Sequence, residues 1–391
     1  MRICLVSSSF YPSIVYGGPI FSTWDLTRSL AEKGLNIYVS TTNANGKKRL
    51  KDVDTASHVK LKDNIFIRYY HEQIINYLSF SFIFNLWNDI KKSELVYIQY
   101  IFHYTSVIAL FYSFLLRKKV ILCARGSLSS WGMSYKKKLI KKIWIFFLVR
   151  PFVKNILWQA CSHLEASDIK ACFEDAYIEI IYDGVDVNEF TLTENISKIN
   201  LVKKYTDLDF ESVSEVIFSM GRLHRIKRFD VLIDAFSIYL KENPDAKLLI
   251  AGSDYGIKND LMNKINNLNL DDSVFLIGFL ESYEKKELFN NVDVFALCSD
   301  FESFGLVVAE ALASGCPVII SDKTHWSDIQ INNCGIFAEN NAETFSKAFH
   351  EVKNMSIDPK VCKNYIRSNF NHDLIANKFL LIINKYRSCI S

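Results

Sequence analysis

Several chemistries are set aside by what this sequence does not contain. Glycine and proline number only 14 and 6 in 391 residues, too few for long flexible linkers, and there is no internal repeat or low-complexity tract. The nine cysteines include no Cys-x-x-Cys pair, which argues against a disulfide framework or a zinc site and suits a reducing cytoplasm. No H-x-x-x-H pairing occurs, so His103 and His163 read as structural. No G-x-G-x-x-G run is present either, and a dinucleotide is not specifically indicated. Met1 leads directly into the strand-like "RICLVSS", so no leader is expected. The most apolar stretch, Ile101 to Leu116, is short for a membrane span, contains His103 and several hydroxyls, and reads as a packed helix. The basic stretches lack a recognised nucleic-acid module.

What remains has the composition of a soluble globular protein, 49% hydrophobic and 23% charged, long enough for two domains. The net charge of +3 is unevenly spread. Residues 1–190 hold 24 Lys and Arg against 16 Asp and Glu, a balance of +8, and residues 191–391 hold 22 against 27, a balance of −5. This fits either two unrelated solvated surfaces or an anionic surface near the first half. In the first half, strand patterns at "RICLV", "NIYVST", "LVYIQY", "KVILCA", "NILWQA" and "IEIIYD" alternate with helical runs. The pattern restarts with "EVIFSMG", "AKLLIAG", "SVFLIG", "VDVFALC" and "CPVIIS". Such alternation implies an α/β protein with two doubly wound parallel sheets. The expected domains are 1–195 and 196–370, divided near the polar "NEFTLTENISKIN". The segment 371–391 reads as a helix with no strand to serve, placed to pack back across the domains. Ligands of open α/β sheets bind beyond the carboxyl ends of the strands, so a cleft between two such domains is the expected site.

The stretch "FESFGLVVAEALASGCPVI", residues 301–319, sharpens that expectation. The run Val294–Leu297 reads as a buried strand, and from Gly305 the residues suit a packed helix ended by Gly315 and Pro317. A helix N-terminus at the carboxyl end of a strand offers free N–H groups to an anion, and Gly305 permits close approach. Arg222 and Lys227 lie in another strand-to-helix loop, "FSMGRLHRIKRFDVLIDAF". Two cations there fit a diphosphate, or a solvated basic loop. Gly17-Gly18, after the first strand, fits a turn or close backbone approach to a ligand.

In order along the chain, "YGGP", "GRLHRIK", "AGSD", "FLIGFL" and "ESFGLVVAEALASGCPVI" resemble the retaining glycosyltransferases of family 4, or group 1. "ARGSLSSW", "CSHLEASDI" and "IYDGVDVNEF" extend the likeness, and "THWSDI" with "CG" at 334–335 resembles a subset that makes bacterial surface polysaccharides. The resemblance implies a GT-B arrangement of two Rossmann-like domains facing across a cleft, a nucleotide-sugar donor (UDP by family frequency), and neither metal nor other cofactor. It implies that Glu302 meets the donor sugar and Glu310 holds the ribose hydroxyls. It further implies that the amides near Gly305, Leu306 and Val307 take the diphosphate together with Arg222 and Lys227, and that Gly18 approaches from the first domain. Arg125-Gly126 stands where many relatives have histidine-glycine, so a contact with donor sugar or acceptor is implied there. Asp183-Gly184 stands where asparagine-glycine is usual, a mild change in a turn.

The implied activity is transfer of a sugar to a glycan or lipid-linked glycan in bacterial lipopolysaccharide O-antigen, capsule or exopolysaccharide synthesis. A sugar-nucleotide epimerase of the same architecture, or a non-catalytic nucleotide-sugar-binding subunit, are the alternatives. Asp52-Val53-Asp54 and Asp207-Leu208-Asp209 match D-x-D, but lie in a lysine-rich loop and in the linker region, away from the expected site. In "SYKKKLIKKIWIFFLV", Ile140, Ile143, Trp144 and Phe147 share a helical face beside five lysines. That pattern fits a core-facing helix with a basic flank, or a helix lying on an anionic membrane surface. The expected location is the cytoplasm, with peripheral contact on the inner face of the membrane.

Overall fold

The computed structural model describes residues 1–134, 137–192 and 194–388, the side chains of residues 387 and 388 excepted. Two compact units are present: Met1–Gly184 with the C-terminal segment from His372, and Val185–Asn371.

The first unit is built on an eight-stranded sheet. In chain order its strands are β1 (Arg2–Val6), β2 (Asn36–Thr42), β5 (Val59–Lys62), β6 (Ile65–Tyr70), β7 (Leu95–Gln99), β8 (Lys119–Cys123), β9 (Ile156–Ala160) and β10 (Tyr177–Ile180). A short antiparallel pair, β3 (Ala44–Asn45) and β4 (Lys48–Arg49), stands apart. The spatial order is β10-β9-β8-β7-β1-β2-β6-β5, parallel throughout except for the edge strand β5. The central strands are near-continuous apolar runs because helices cover both faces: all five residues of β7 and of β9 are buried. Helix Gly18–Glu32 places Ile20, Leu26 and Leu30 inside. The stretch weighed as a span is the helix Tyr104–Leu115, capped by the His103 ring, which accepts from Thr105 N. Burial lowers the pKa of His103 to about 4, so the imidazole is neutral and its Nδ1 is able to accept.

The second unit has six parallel strands, β11 (Glu215–Met220), β12 (Ala246–Ala251), β13 (Val274–Gly278), β14 (Val294–Leu297), β15 (Val318–Ser321) and β16 (Gly335–Ala338). Their order is β13-β12-β11-β14-β15-β16. Counted within the unit this is the 3-2-1-4-5-6 order of a Rossmann sheet, and the direction of winding reverses between β11 and β14. Phe218, Phe289 and Phe295 pack edge to face in its core at centroid separations of 5.4 to 5.9 Å.

The units meet in sequence at Gly184–Val185 rather than at residue 195. The polar segment read as a linker is tied to the second unit by side-chain amides. Asn290 Nδ2 donates to Phe190 O at 2.7 Å, and Ile196 N donates to Asn291 Oδ1 at 2.8 Å. The helix His372–Ser388 belongs to the first unit. There Phe379 and Ile383 are fully buried, and Lys119 Nζ donates to Tyr386 O at 2.8 Å.

Candidate functional site

The loops after β11 and β14 leave the second sheet at its switch point, where the two strands are neighbours. Asp300 N donates to Ile226 O at 2.8 Å, joining the loops backbone to backbone. Beside that bond Lys227 Nζ donates to Glu302 Oε1 at 2.5 Å, across 75 positions of sequence. Both side chains are 12% exposed, so water screens the pair weakly and the charges depend on one another.

Glycine makes the approach possible. A Cβ at Gly252 would fall 1.8 Å from the Gly221 carbonyl oxygen, so the loop after β12 comes this close to the loop after β11 only with glycine there. A Cβ at Gly221 would stand 3.1 Å from Lys227 Cε, so the lysine stem lies across that glycine. Gly305 has φ +82° and caps the helix Leu306–Ser314, whose first turn carries Leu306 and Val307. The residue before it is clamped: the Phe304 carbonyl accepts from Trp326 Nε1 at 2.7 Å and from His325 Nε2 at 2.6 Å. Burial holds the His325 imidazole below its ordinary pKa, with the Phe304 contact opposing, which fits a neutral ring protonated on Nε2. Thus "THWSDI", which carried only a likeness in the sequence, fixes the loop that presents Glu302.

Glu310 lies one turn into the same helix, among buried apolar neighbours, and Lys285 Nζ donates to its Oε1 at 2.6 Å. Arg222 stands apart from these pairs, exposed, with its guanidinium over the Tyr255 ring at 5.2 Å. The structure therefore gathers Lys227, Glu302, Gly305, Leu306 and Val307 around one helix terminus, with Glu310 further along that helix and Arg222 on the adjoining loop.

In the first unit, Gly17 adopts φ +82° just ahead of Gly18, the first residue of its helix. Arg125 and Gly126 both have positive φ, but neither offers an unoccupied group to a sugar. The Arg125 side chain is 1% exposed and donates to Asp183 Oδ1 at 2.6 Å, to Gln99 Oε1 at 2.9 Å and to Thr23 Oγ1 at 3.2 Å. Gly126 N donates to Glu165 Oε1 at 2.6 Å, and Cys161 N to Glu165 Oε2 at 2.7 Å. Burial pushes the Glu165 carboxyl up and the two amides oppose it. Arg125 and Glu165 thus crosslink the segments leaving β7, β8, β9 and β10 from inside. Glu165 was signalled in the sequence by Ser162-x-x-Glu165, a helix-start pattern. Lys285, inside the charged run "ESYEKKEL", carried no such signal.

The D-x-D matches are otherwise engaged: Asp54 accepts from the amides of Ala56 and Ser57, and Asp209 pairs with Lys203 at 2.5 Å. Among the described residues, no three His, Cys, Asp or Glu side chains converge as a metal would require.

Arg125→Met strands a buried carboxylate and should cost about 3–5 kcal/mol, read as an earlier urea midpoint. Adding Asp183→Leu should recover most of the loss, since apolar residues replace a buried pair at little cost. An unchanged midpoint in the single variant would show that the pair contributes nothing net.

Comparison with known proteins matches this site to a family. Residues 206–369 match the family described as glycosyl transferases group 1. The chain is 27% identical over 263 residues to the alpha-monoglucosyldiacylglycerol synthase of Streptococcus pneumoniae, covering 61% of this chain and 59% of that one. It is 28% identical over 260 residues to the UDP-Gal:alpha-D-GlcNAc-diphosphoundecaprenol alpha-1,3-galactosyltransferase of Escherichia coli, covering 61% and 62%. The chain thus spans about three fifths of the length of these curated relatives. The structure of Anabaena HepE in complex with UDP and glucose superimposes with a TM-score of 0.74 at 17% identity, covering 98% of this chain and 100% of that one. The chain has the fold of the GT-B glycosyltransferases, and it carries a domain of the glycosyl transferases group 1 family at residues 206–369.

Proposed function

We propose that the protein is a retaining, metal-independent glycosyltransferase that moves a sugar from a nucleotide-sugar donor, a UDP-sugar, to a glycan acceptor carried on a lipid. The observation that carries the reading is the Lys227–Glu302 pair at the switch point, beside the helix terminus at Gly305. Cleaving a sugar–phosphate bond builds positive charge on the sugar and negative charge on the departing diphosphate. A lysine and a carboxylate held against each other, both largely removed from water, suit that charge separation. The diphosphate draws Lys227 and the amides of Leu306 and Val307, and Arg222 reaches it from the exposed loop. Glu302, released from its partner, faces the sugar as positive charge develops. Arg125 and Gly126 act from below, by setting the loops after β7 to β10. With the diphosphate charge met by these cations and the helix terminus, the reaction needs no divalent ion.

The acceptor class is supported by the relatives, one named for a glucosyldiacylglycerol and one for a diphosphoundecaprenol-linked sugar. These names, with the surface-polysaccharide likeness of "THWSDI", favour a role in bacterial lipopolysaccharide O-antigen, capsule or exopolysaccharide synthesis. A lipid-borne acceptor requires the first unit to reach a membrane surface. No helix of the described residues is long and apolar enough to cross one. Instead Ile140, Ile143, Phe146 and Phe147 are each about half or more exposed, on the helix Lys138–Trp144 and the turn after it. Trp144 turns inward, its Nε1 donating to Ile101 O. The neighbouring helix Tyr104–Leu115 adds exposed Phe111, Phe114 and Leu115, and no carboxylate occurs between Glu94 and Glu165. Tyr135 and Lys136, part of the segment read as membrane-facing, lie outside the described residues. This surface is suited to peripheral binding of anionic lipid on the cytoplasmic side.

Glu302→Gln should lower transfer by a factor on the order of 100 or more, measured by mass spectrometry with a panel of nucleotide sugars and acceptors. Nucleoside-diphosphate affinity in that variant should be kept or tightened, because Lys227 no longer shares its charge. Near wild-type turnover would sink the assignment. Transfer should also survive excess EDTA, whereas loss restored by magnesium or manganese would overturn the metal-independent reading. Replacing Lys137, Lys138 and Lys142 by glutamine should reduce sedimentation with anionic vesicles, each lysine contributing about 1 kcal/mol. Lys141 is left in place because it donates to Gly132 O. Equal sedimentation of variant and wild type at low salt would place the helix outside any membrane contact.

A further inference from the structure

The contact between Lys285 and Glu310 is the second buried ion pair of the second unit's site, and nothing in the reaction described above uses the lysine. Glu310 sits in a helix whose neighbouring residues, Val308, Ala309, Ala311, Leu312 and Ala313, are all buried. A carboxylate in such surroundings stays charged only if its desolvation is offset. Lys285 supplies that offset at 2.6 Å, and the two side chains are 12% and 9% exposed. Lys285 lies in the first turn of the helix Ser282–Asn291, which follows β13 and packs on the helix carrying Glu310. The lysine is itself positioned by the Phe190 ring, 5.3 Å from its Nζ.

A pair of this kind is a poor choice for merely joining two helices. An apolar residue of similar length would join them as well or better, since burying two charges costs much of what their attraction returns. What the pair provides is a fixed carboxylate plane, with Oε1 held and the negative charge preserved. A fixed, charged carboxylate is the group that accepts hydrogen bonds from the two neighbouring hydroxyls of a ribose. We propose that Lys285 is a positioning residue for ribose recognition: it orients Glu310 so that the site selects a ribonucleotide over its 2′-deoxy counterpart. This rests on the reading of Glu310 as the ribose ligand, and the experiment separates the two claims.

Calorimetric titrations of the full chain would use UDP, ADP and GDP, each against its 2′-deoxy form. Wild type should prefer the ribonucleotide of whichever pair it binds most tightly. Lys285→Met should weaken that ribonucleotide about ten-fold or more, the scale of a charge-assisted hydrogen bond, and leave the deoxynucleotide within about two-fold. Lys285→Arg should retain most of the preference, and Glu310→Gln should abolish it with Lys285 in place. Because the readout is a ratio of two affinities, it is unaffected by the fraction of a variant that folds. Equal weakening of both nucleotides in Lys285→Met would make the lysine a helix clip and overturn the proposal. A preference intact in Lys285→Met but lost in Glu310→Gln would overturn the role of Lys285 alone. A preference intact in Glu310→Gln, or absent in wild type, would remove the ribose reading of Glu310 and the proposal with it.

Discussion

The organisation of the second unit turns on one contact between charges, Lys227 Nζ against Glu302 Oε1. The two residues lie on loops that follow β11 and β14, and only a sheet that reverses its winding between those strands brings the loops together. Gly221 and Gly252 allow the backbones to close in, and the Phe304 carbonyl, gripped by His325 and Trp326, fixes the carboxylate's loop. The helix terminus at Gly305 then stands beside the pair as a second source of positive potential. Each part has an independent structural reason, and together they set a cation, a carboxylate and a helix N-terminus side by side, the arrangement on which the proposed function rests.

The first unit is arranged on the same principle, with polar groups placed under the carboxyl ends of its strands, but Arg125 and Glu165 there are engaged from within. Arg125 meets Asp183, Gln99 and Thr23, while Glu165 takes the amides of Gly126 and Cys161. Such a network makes the loops rigid by committing the Arg125 and Glu165 side chains to one another's segments. The two units therefore use charge differently. One pairs single charges at its strand ends, where the proposed function has a ligand redistribute them, and the other commits its charges to holding its shape.

How much of this was legible in the amino-acid order depended on the range of the interaction. The eleven strands quoted from the sequence are all present, most of them because a strand buried on both faces is a local apolar run. The strands passed over have physical reasons: β5 is an exposed edge, "VKLK", and β16 is four residues opening on glycine. Strand β6, "IFIRYY", carried a usable pattern, and reading it would have supplied the third parallel strand on that side. The domain boundary was misplaced by about ten residues because "NEF" looks like linker, whereas Asn290 and Asn291, a hundred positions on, bind it to the second unit. Helix 306–314, with its capping glycines at 305 and 315, was legible from local signals. Pairing was not: which of the many lysines meets Glu302 or Glu310, and whether Arg125 points outward or inward, is decided by packing between elements distant in sequence.

The central claim is that the Lys227–Glu302 pair opens to admit a diphosphate at the helix terminus. A crystal structure of the protein with a bound nucleoside diphosphate tests it most directly. The account predicts a phosphate oxygen within hydrogen-bond distance of Lys227 Nζ and of the amides of Leu306 and Val307, with Glu302 parted from the lysine. A diphosphate bound elsewhere, with the Lys227–Glu302 contact intact, would contradict it.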